Sequence, residues 1–365
     1  MHGALLFLLL FSAAILGWYF FLRGSDHSRF DRGYPTPLAG TTPSSAIDAV
    51  NRQVAAISGD AGSITGGTRA KIASLRETMD RFFNRDYLCT IRPSGAGEPR
   101  GEWVIPPQCD SRCRLLYIHG GAFIAGSPMS HRNITDRLAR QTGMPVFSVD
   151  YRLCPEHSRL RGIEDCVEAY QWLVENSPDG PETAMRVSVA GDSAGGNLTL
   201  VTGALARDRG LRPVDALIAI CATTDATMGS PSLVYNRDSD LMLGTSFGGF
   251  MKLPTLVRGT LLVLTGRRSP ANPLLSPLLG ELKGLPPTLL QVSVDEMLLD
   301  DSVRFYHKAV EQGVPAVLET YAGMIHVWHL FNPELDEANI ALERIADFLR
   351  EHDCAPGNGV VSASV

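Results

Sequence analysis

Two short stretches of this chain hold residue types whose order could do chemistry. Gly191-Asp192-Ser193-Ala194-Gly195-Gly196 fits G-x-S-x-G, the sharp strand-to-helix turn that holds a serine hydroxyl clear of its sheet. His119-Gly120-Gly121, well upstream, is a glycine-paired loop whose bare backbone N–H groups can receive the negative oxygen of a tetrahedral intermediate. One stretch supplies a nucleophile, Ser193, and the other supplies charge stabilisation. Together they imply acyl transfer to water.

Ser193 needs a base. Of the nine histidines, His326 lies in Gly323-Met324-Ile325-His326-Val327-Trp328, just after a predicted strand and before the last predicted helix. The chain order serine, acid, histidine puts a base in such a late loop. His329 would point elsewhere if the segment turns helical, and is expected to pack or to face solvent. His119 is expected to brace its glycine loop. The acid must fall between Ser193 and His326, at the end of a strand. Val294-Asp295-Glu296-Met297-Leu298-Leu299-Asp300-Asp301-Ser302 fits, with four carboxylates in seven positions. One of them would accept the His326 Nδ1–H, fix the tautomer and stabilise imidazolium. Position alone leaves Asp295 and Glu296 both open. Asp300 or Asp301 has a plainer use, capping the helix that starts near Ser302.

Positioning these groups requires a scaffold, and its period is visible. From Arg114 onward, short apolar runs alternate with amphipathic segments. Strands are predicted at residues 115–118, 145–149, 187–190, 216–221, 288–292 and 316–321. Helices are predicted at 134–141, 163–176, 194–206 and 334–350. Ile163, Cys166, Tyr170 and Leu173 form one apolar side, and Leu335, Ala338, Leu342, Ile345 and Leu349 another. Alternation of this kind predicts an α/β fold, a mostly parallel sheet with helices on both faces. Residues 222–275 interrupt it without a clean period and read as an insertion. Ser45–Ile57 and Arg69–Phe83 are predicted helices, parted by the glycine-rich stretch Gly59–Gly67.

Composition narrows the partners. With 44% apolar and 20% charged residues, the 365-residue chain can fill a core. Its net charge of −6, with no basic stripe, gives no sign of a nucleic-acid partner. Seven cysteines are an odd, sparse set, unlike a disulfide-stapled module. Cys109 and Cys113 form a close pair, but no second pair or histidine cluster completes a zinc site. The chemistry requires no metal and no organic cofactor.

Ala4–Leu22 runs without a charge and as a helix would span ~28 Å, close to the ~30 Å bilayer core. Trp18 and Tyr19 suit the interfacial belt near its end. No Lys or Arg precedes the run, which favours an uncleaved anchor over 1–23 against a cleaved signal segment of a secreted protein. Arg23, Arg29 and Arg32 follow it, leaning the catalytic part to the cytoplasmic side. Residues 24–45, rich in Gly, Pro, Ser and Thr, read as a linker.

With these residues in view, positions from about 114 to 350 resemble the hormone-sensitive-lipase family of α/β-hydrolases. His-Gly-Gly and Gly-Asp-Ser-Ala-Gly-Gly are shared with it. So is Asp150-Tyr151-Arg152-Leu153-Cys154-Pro155-Glu156-His157, where Cys154 stands for the usual Ala, and Asp165 falls where the family has an acid in the next helix. Ser276-Pro277-Leu278 and Leu285-Pro286-Pro287-Thr288 also match its approach to the acid strand. The resemblance implies an α/β-hydrolase fold over 91–350 with a tail at 351–365. It implies Ser193 as nucleophile, His326 as base, and the amides of Gly120, Gly121 and Ala194 as oxyanion hole. The family's acid stands four residues before an Asp that begins the next helix, which points to Glu296, with Asp295 as runner-up. Ala122 replaces a third glycine. A helical cap is implied at 46–90 and 222–275, with Met242, Leu243, Phe247, Phe250 and Met251 lining the pocket or burying the cap against the core.

The expected activity is that of a serine carboxylic-ester hydrolase acting on a small apolar ester or lactone, of short-to-medium acyl length, through an acyl-enzyme. An amide deacetylase or acyltransferase on the same triad is the alternative. A non-catalytic ligand-binding protein on this fold is a further one, and the retained His326 argues against it.

Overall fold

In the computed structural model the chain builds one eight-stranded sheet clad by helices on both faces. The structure describes residues 12, 15–38, 40–63, 67–82 and 85–356. The strands are β1 (Thr90–Pro93), β2 (Gly101–Ile105), β3 (Cys113–Ile118), β4 (Val146–Val149), β5 (Arg186–Asp192), β6 (Leu217–Ile220), β7 (Thr288–Ser293) and β8 (Ala316–Tyr321). They lie in the order β1-β2-β4-β3-β5-β6-β7-β8. β2 pairs antiparallel with β1 and β4, and every other pairing is parallel. The predicted strands recur with shifts at their ends. The β1–β2 hairpin went unpredicted, because Pro93, Gly95 and Gly97 give its connection the look of a plain loop.

The longer helices are α1 (Ser44–Ser63), α2 (Thr68–Phe82), α3 (Arg132–Thr142), α4 (Arg159–Glu175), α5 (Ala194–Asp208), α6 (Leu243–Met251), α7 (Thr255–Gly266), α8 (Leu299–Glu311) and α9 (Asp336–Glu351). Strand alternation splits the core in two. Leu116 and Ile118 of β3 pack with Ile163, Cys166, Tyr170 and Leu173 of α4 and with apolar residues of α5 and α8. Leu115 and Tyr117 pack on the other face, with α3 and the α9 stripe. Both faces of the central strands are thus covered, which is why they read as unbroken apolar runs. Each fully buried Leu or Ile of these stripes contributes roughly 1.5–3 kcal/mol over an exposed one.

Residues 222–275 hold α6 and α7, which meet at a bend of 111°. Gly244, Gly248 and Gly249 break the apolar period of α6 and hid it from the sequence. α1 runs on through Gly59 and Gly62 to Ser63, where a glycine-rich break was expected. Glycine costs a helix only about 1 kcal/mol relative to alanine, and no proline stops this one.

Of the apolar run Ala4–Leu22, residues 4–11, 13 and 14 lie outside the described residues. Residues 15–23 are helical and lie against α7 and the turn after it: Trp18 Nε1 donates to Thr260 Oγ1 at 2.9 Å, and Ser269 Oγ to the Phe21 carbonyl at 2.5 Å. Among the described residues no single helix is long and apolar enough to cross a membrane. The segment read as a linker is bound to the body. Asp31 pairs with Arg304 of α8, and Leu38 N donates to Thr320 O of β8 at 2.8 Å. The amide of Thr42 donates to Glu337 Oε1 of α9 at 2.9 Å.

Candidate active site

β5 runs straight into the serine turn. Ser193 has φ 52° and ψ −115°, outside the ordinary regions, which thrusts its hydroxyl off the end of the strand. Glycine is required two residues on. A Cβ on Gly195 would stand 1.9 Å from the Ile118 carbonyl oxygen, so only a bare backbone lets α5 start against β3.

His326 hangs from the loop after β8, with its Nε2 2.9 Å from Ser193 Oγ. Its Nδ1 donates to Glu296 Oε2. The other Glu296 oxygen accepts the Ser293 amide at 2.9 Å, and Asn236 Nδ2 donates to the Glu296 carbonyl at 2.9 Å. Burial lowers the affinity of His326 for its proton, but the Glu296 charge and hydrogen bond outweigh this and hold its pKa above the ordinary 6.5. Asp295, the other candidate, turns away and accepts the Gly323 amide at 2.7 Å. Geometry therefore joins Ser193, His326 and Glu296.

Asp300 and Asp301 do not cap α8, which has no side-chain cap bond. They hold the insertion instead. Asp300 accepts the Ser232 amide at 2.7 Å, and Asp301 accepts the amides of Thr224 and Asp225 at 2.6 and 3.0 Å. His329 packs rather than facing solvent. It is buried with Nε2 2.9 Å from Gln291 Oε1, and burial pushes its pKa down to about 3.

The glycine loop holds a correction. Gly120 was expected to offer its N–H to an oxyanion, but that N–H donates to Asp192 Oδ1 at 3.0 Å. The amides of Gly121, Ala122 and Ala194 have no acceptor among the described residues. Gly121 has φ +110°, and a Cβ there would meet the Ala125 carbonyl at 2.1 Å. Ala122, at φ 53°, carries its methyl into a left-handed conformation.

Asp192 also accepts the Tyr117 hydroxyl at 2.7 Å, and its Oδ2 lies 3.4 Å from His131 Nε2. Burial alone would raise the Asp192 pKa, yet the His131 charge and the bonds from His131 and Tyr117 lower it. His131 is correspondingly raised, Asp192 overcoming its burial. Sequence reading missed this trio. Its only signal was an acid inside the serine motif, which the motif itself leaves open.

His119 braces the loop as expected. Its Nδ1 donates to Gly120 O at 2.8 Å, its ring stacks on Tyr151 at 4.4 Å, and the Tyr151 hydroxyl donates to its carbonyl at 3.0 Å. Burial and the neighbouring His131 push its pKa down to about 4, so it is neutral at pH 7. Arg152, in the same matching stretch, makes a two-pronged pair with Asp165. From α2, Arg76 donates to Ile124 O at 2.7 Å and Cys154 O at 2.9 Å, holding the loop from above. Cys221, at the end of β6, accepts the Val327 amide through Sγ at 3.4 Å and steadies the turn after His326.

Ser193 opens into a cavity of about 340 Å³ whose wall is mostly apolar. Leu243, Phe247 and Met251 of α6 and Leu262 of α7 roof it. Of the expected lining residues, Met242 packs instead against the core and Phe250 stays out of the wall. Residues 45–55 of α1 and 68–81 of α2 do not line the cavity. The insertion roofs the cavity, and Arg76 of α2 steadies the loop beside it.

A serine on a strained turn, bonded to a carboxylate-backed histidine beneath an apolar roof, on a sheet of this strand order, defines an α/β-hydrolase. The family model described as the alpha/beta hydrolase fold matches residues 115–330. An acetyl-hydrolase of Streptomyces hygroscopicus is 36% identical over 265 residues, covering 72% of this chain and 83% of that one. An esterase of Acinetobacter venetianus is 35% identical over 283 residues, covering 77% and 89%. Among solved structures, an esterase from the bacterial hormone-sensitive lipase family superposes with a TM-score of 0.73 at 30% identity, covering 86% of this chain and 99% of that one. The chain belongs to the hormone-sensitive-lipase family of α/β-hydrolases and is a carboxylic-ester hydrolase.

Proposed function

We propose that this hydrolase cleaves short-to-medium acyl esters or lactones through a covalent acyl-enzyme on Ser193. The bond between Ser193 Oγ and His326 Nε2, backed by Glu296 on Nδ1, carries the reading. As Oγ adds to the ester carbonyl carbon, His326 takes the hydroxyl proton. The amides of Gly121, Ala122 and Ala194 receive the oxyanion. His326 then protonates the departing alkoxide. Water, giving its proton to His326, attacks the acyl carbon; the acid leaves and Ser193 recovers its proton. The apolar cavity supports an acyl group of limited length.

Ser193→Ala is expected to lower p-nitrophenyl butyrate hydrolysis by at least about 10⁴-fold with the circular dichroism spectrum unchanged. Retention of most activity in the purified variant would reject the mechanism. Butyrate and octanoate esters compared with an acetanilide would separate esterase from amidase preference.

We also infer that the N-terminal run meets a bilayer, with the catalytic part on the cytoplasmic side. The absence of charge in residues 4–22 supports this, as does the outward exposure of Leu16 and Phe20, 56% and 59%. The arginines that follow support the sidedness. Full-length protein should float with phosphatidylcholine vesicles, and a Leu16→Ser, Phe20→Ser variant should float less. Equal flotation of the two would count against it.

A further inference from the structure

Arg159 is the first residue of α4, and its side chain forms part of the wall of the cavity that contains Ser193. The guanidinium carbon sits 3.7 Å from the centre of the Phe123 ring, in the oxyanion loop. Nη2 donates to Asn197 Oδ1 at 3.1 Å and more weakly to the Leu275 carbonyl at 3.5 Å. Asn197 is itself fixed, giving its amide hydrogens to the carbonyls of Thr223 and Leu275. The cation is therefore held in place rather than swinging in solvent.

Its charge, by contrast, is unanswered. Nε is buried with no acceptor, and Nη1 has none among the described residues. No carboxylate among the described residues lies within ion-pair distance, although most arginines of this chain have one. Burial pushes the guanidinium pKa down to about 10, leaving it charged at neutral pH. The two acids that share the cavity wall are occupied elsewhere. Asp301 accepts backbone amides and the Ser230 hydroxyl, and Asp225 accepts the Thr227 amide at 2.8 Å. Position adds to the imbalance. A cation at the first turn of a helix opposes the helix dipole, and both together favour an anion. The Phe123 ring and the Asn197 and Leu275 oxygens soften that imbalance without cancelling it, since none of them carries a full negative charge.

We propose that Arg159 is a specificity-determining residue that binds a carboxylate borne by the ester substrate. The favoured substrates are carboxylate-bearing short esters, either monoesters of dicarboxylic acids or acyl esters of hydroxy acids. The substrate supplies the counter-ion the fold withholds, through Nη1, while its remaining chain fills the apolar cavity. This rests on the serine-hydrolase reading above.

The test compares kcat/KM for a carboxylate ester with that for its neutral carboxamide isostere. One arm uses monomethyl glutarate, with the charge on the acyl side. The other uses 3-acetoxypropanoate, with the charge on the alcohol side. In wild type the carboxylate-to-carboxamide ratio is expected to exceed one in one arm, which identifies the side. Arg159→Met should lower that ratio roughly ten- to a hundredfold, the range of a charge-assisted bond, and Arg159→Lys should fall between. Arg159→Met enters the comparison as a variant whose far-ultraviolet dichroism matches wild type, so that misfolding does not decide the ratio. A wild-type ratio below one in both arms, or the same ratio in Arg159→Met, overturns the proposal. If p-nitrophenyl butyrate is still hydrolysed by wild type and not by Ser193→Ala, the mechanism survives that failure.

Discussion

The protonation state of one imidazole sets the working pH. His326 must be neutral to take the Ser193 proton, and Glu296 holds its pKa above 6.5 against the opposing pull of burial. The kcat/KM profile should therefore rise with pH through a midpoint above 6.5. Glu296→Gln removes the charge that raises it, so the midpoint should move to lower pH while the plateau falls by about 10⁴-fold. An unmoved midpoint would mean that another group governs the limb. At this scale the sequence was informative about Ser193 and His326, which stand in motifs of fixed spacing. It was weaker at the acid, because neighbouring carboxylates differ only in which way the chain turns. It failed at Gly120, whose N–H is spent on Asp192, a bond that no pattern of residue types reveals.

Strand β5, the serine turn and the glycine loop form one unit through Asp192, which links Tyr117 on β3, the Gly120 amide and His131. Asp192→Asn keeps the shape but replaces an acceptor oxygen with a donor on at least one side. Activity should drop about tenfold or more while far-ultraviolet dichroism is retained, and a variant with wild-type kcat would refute the link. Gly195→Ala is the packing counterpart. Its methyl would sit 1.9 Å from the Ile118 carbonyl, so β3 and α5 must part, with an expected loss of about 1–3 kcal/mol in urea unfolding. Elements buried on one face were legible from their period, as with the α4 and α9 stripes. Those built for a cavity, α6 above all, were not, since glycine and aromatic residues there answer to the roof rather than to a helical repeat.

Across the whole molecule, residues 31–38 and 40–42 are fastened rather than loose. Glu337 of α9 accepts the amides of Thr41 and Thr42 and the Thr42 hydroxyl. Burial alone would raise its pKa, but these bonds lower it below the ordinary 4.5. A depressed carboxyl stabilises the fold above its unfolded pKa and loses that contribution as pH falls through the folded one. Glu337→Ala should cost about 1–3 kcal/mol at pH 7, and the gap to wild type should narrow as pH falls below the ordinary 4.5 and through the depressed folded pKa. A pH-independent gap would show that packing, not charge, is at stake. Composition had marked this stretch as a linker, because Gly, Pro, Ser and Thr forecast irregular backbone and say nothing of what that backbone touches.

The contact between residues 15–23 and α7 has a mechanical corollary. Trp18 grips Thr260, and two positions further along the same helix Leu262 borders the reaction chamber. Whatever surface steadies the leading segment also steadies the ceiling above the serine, so the two ends of that short lever share one stiffness.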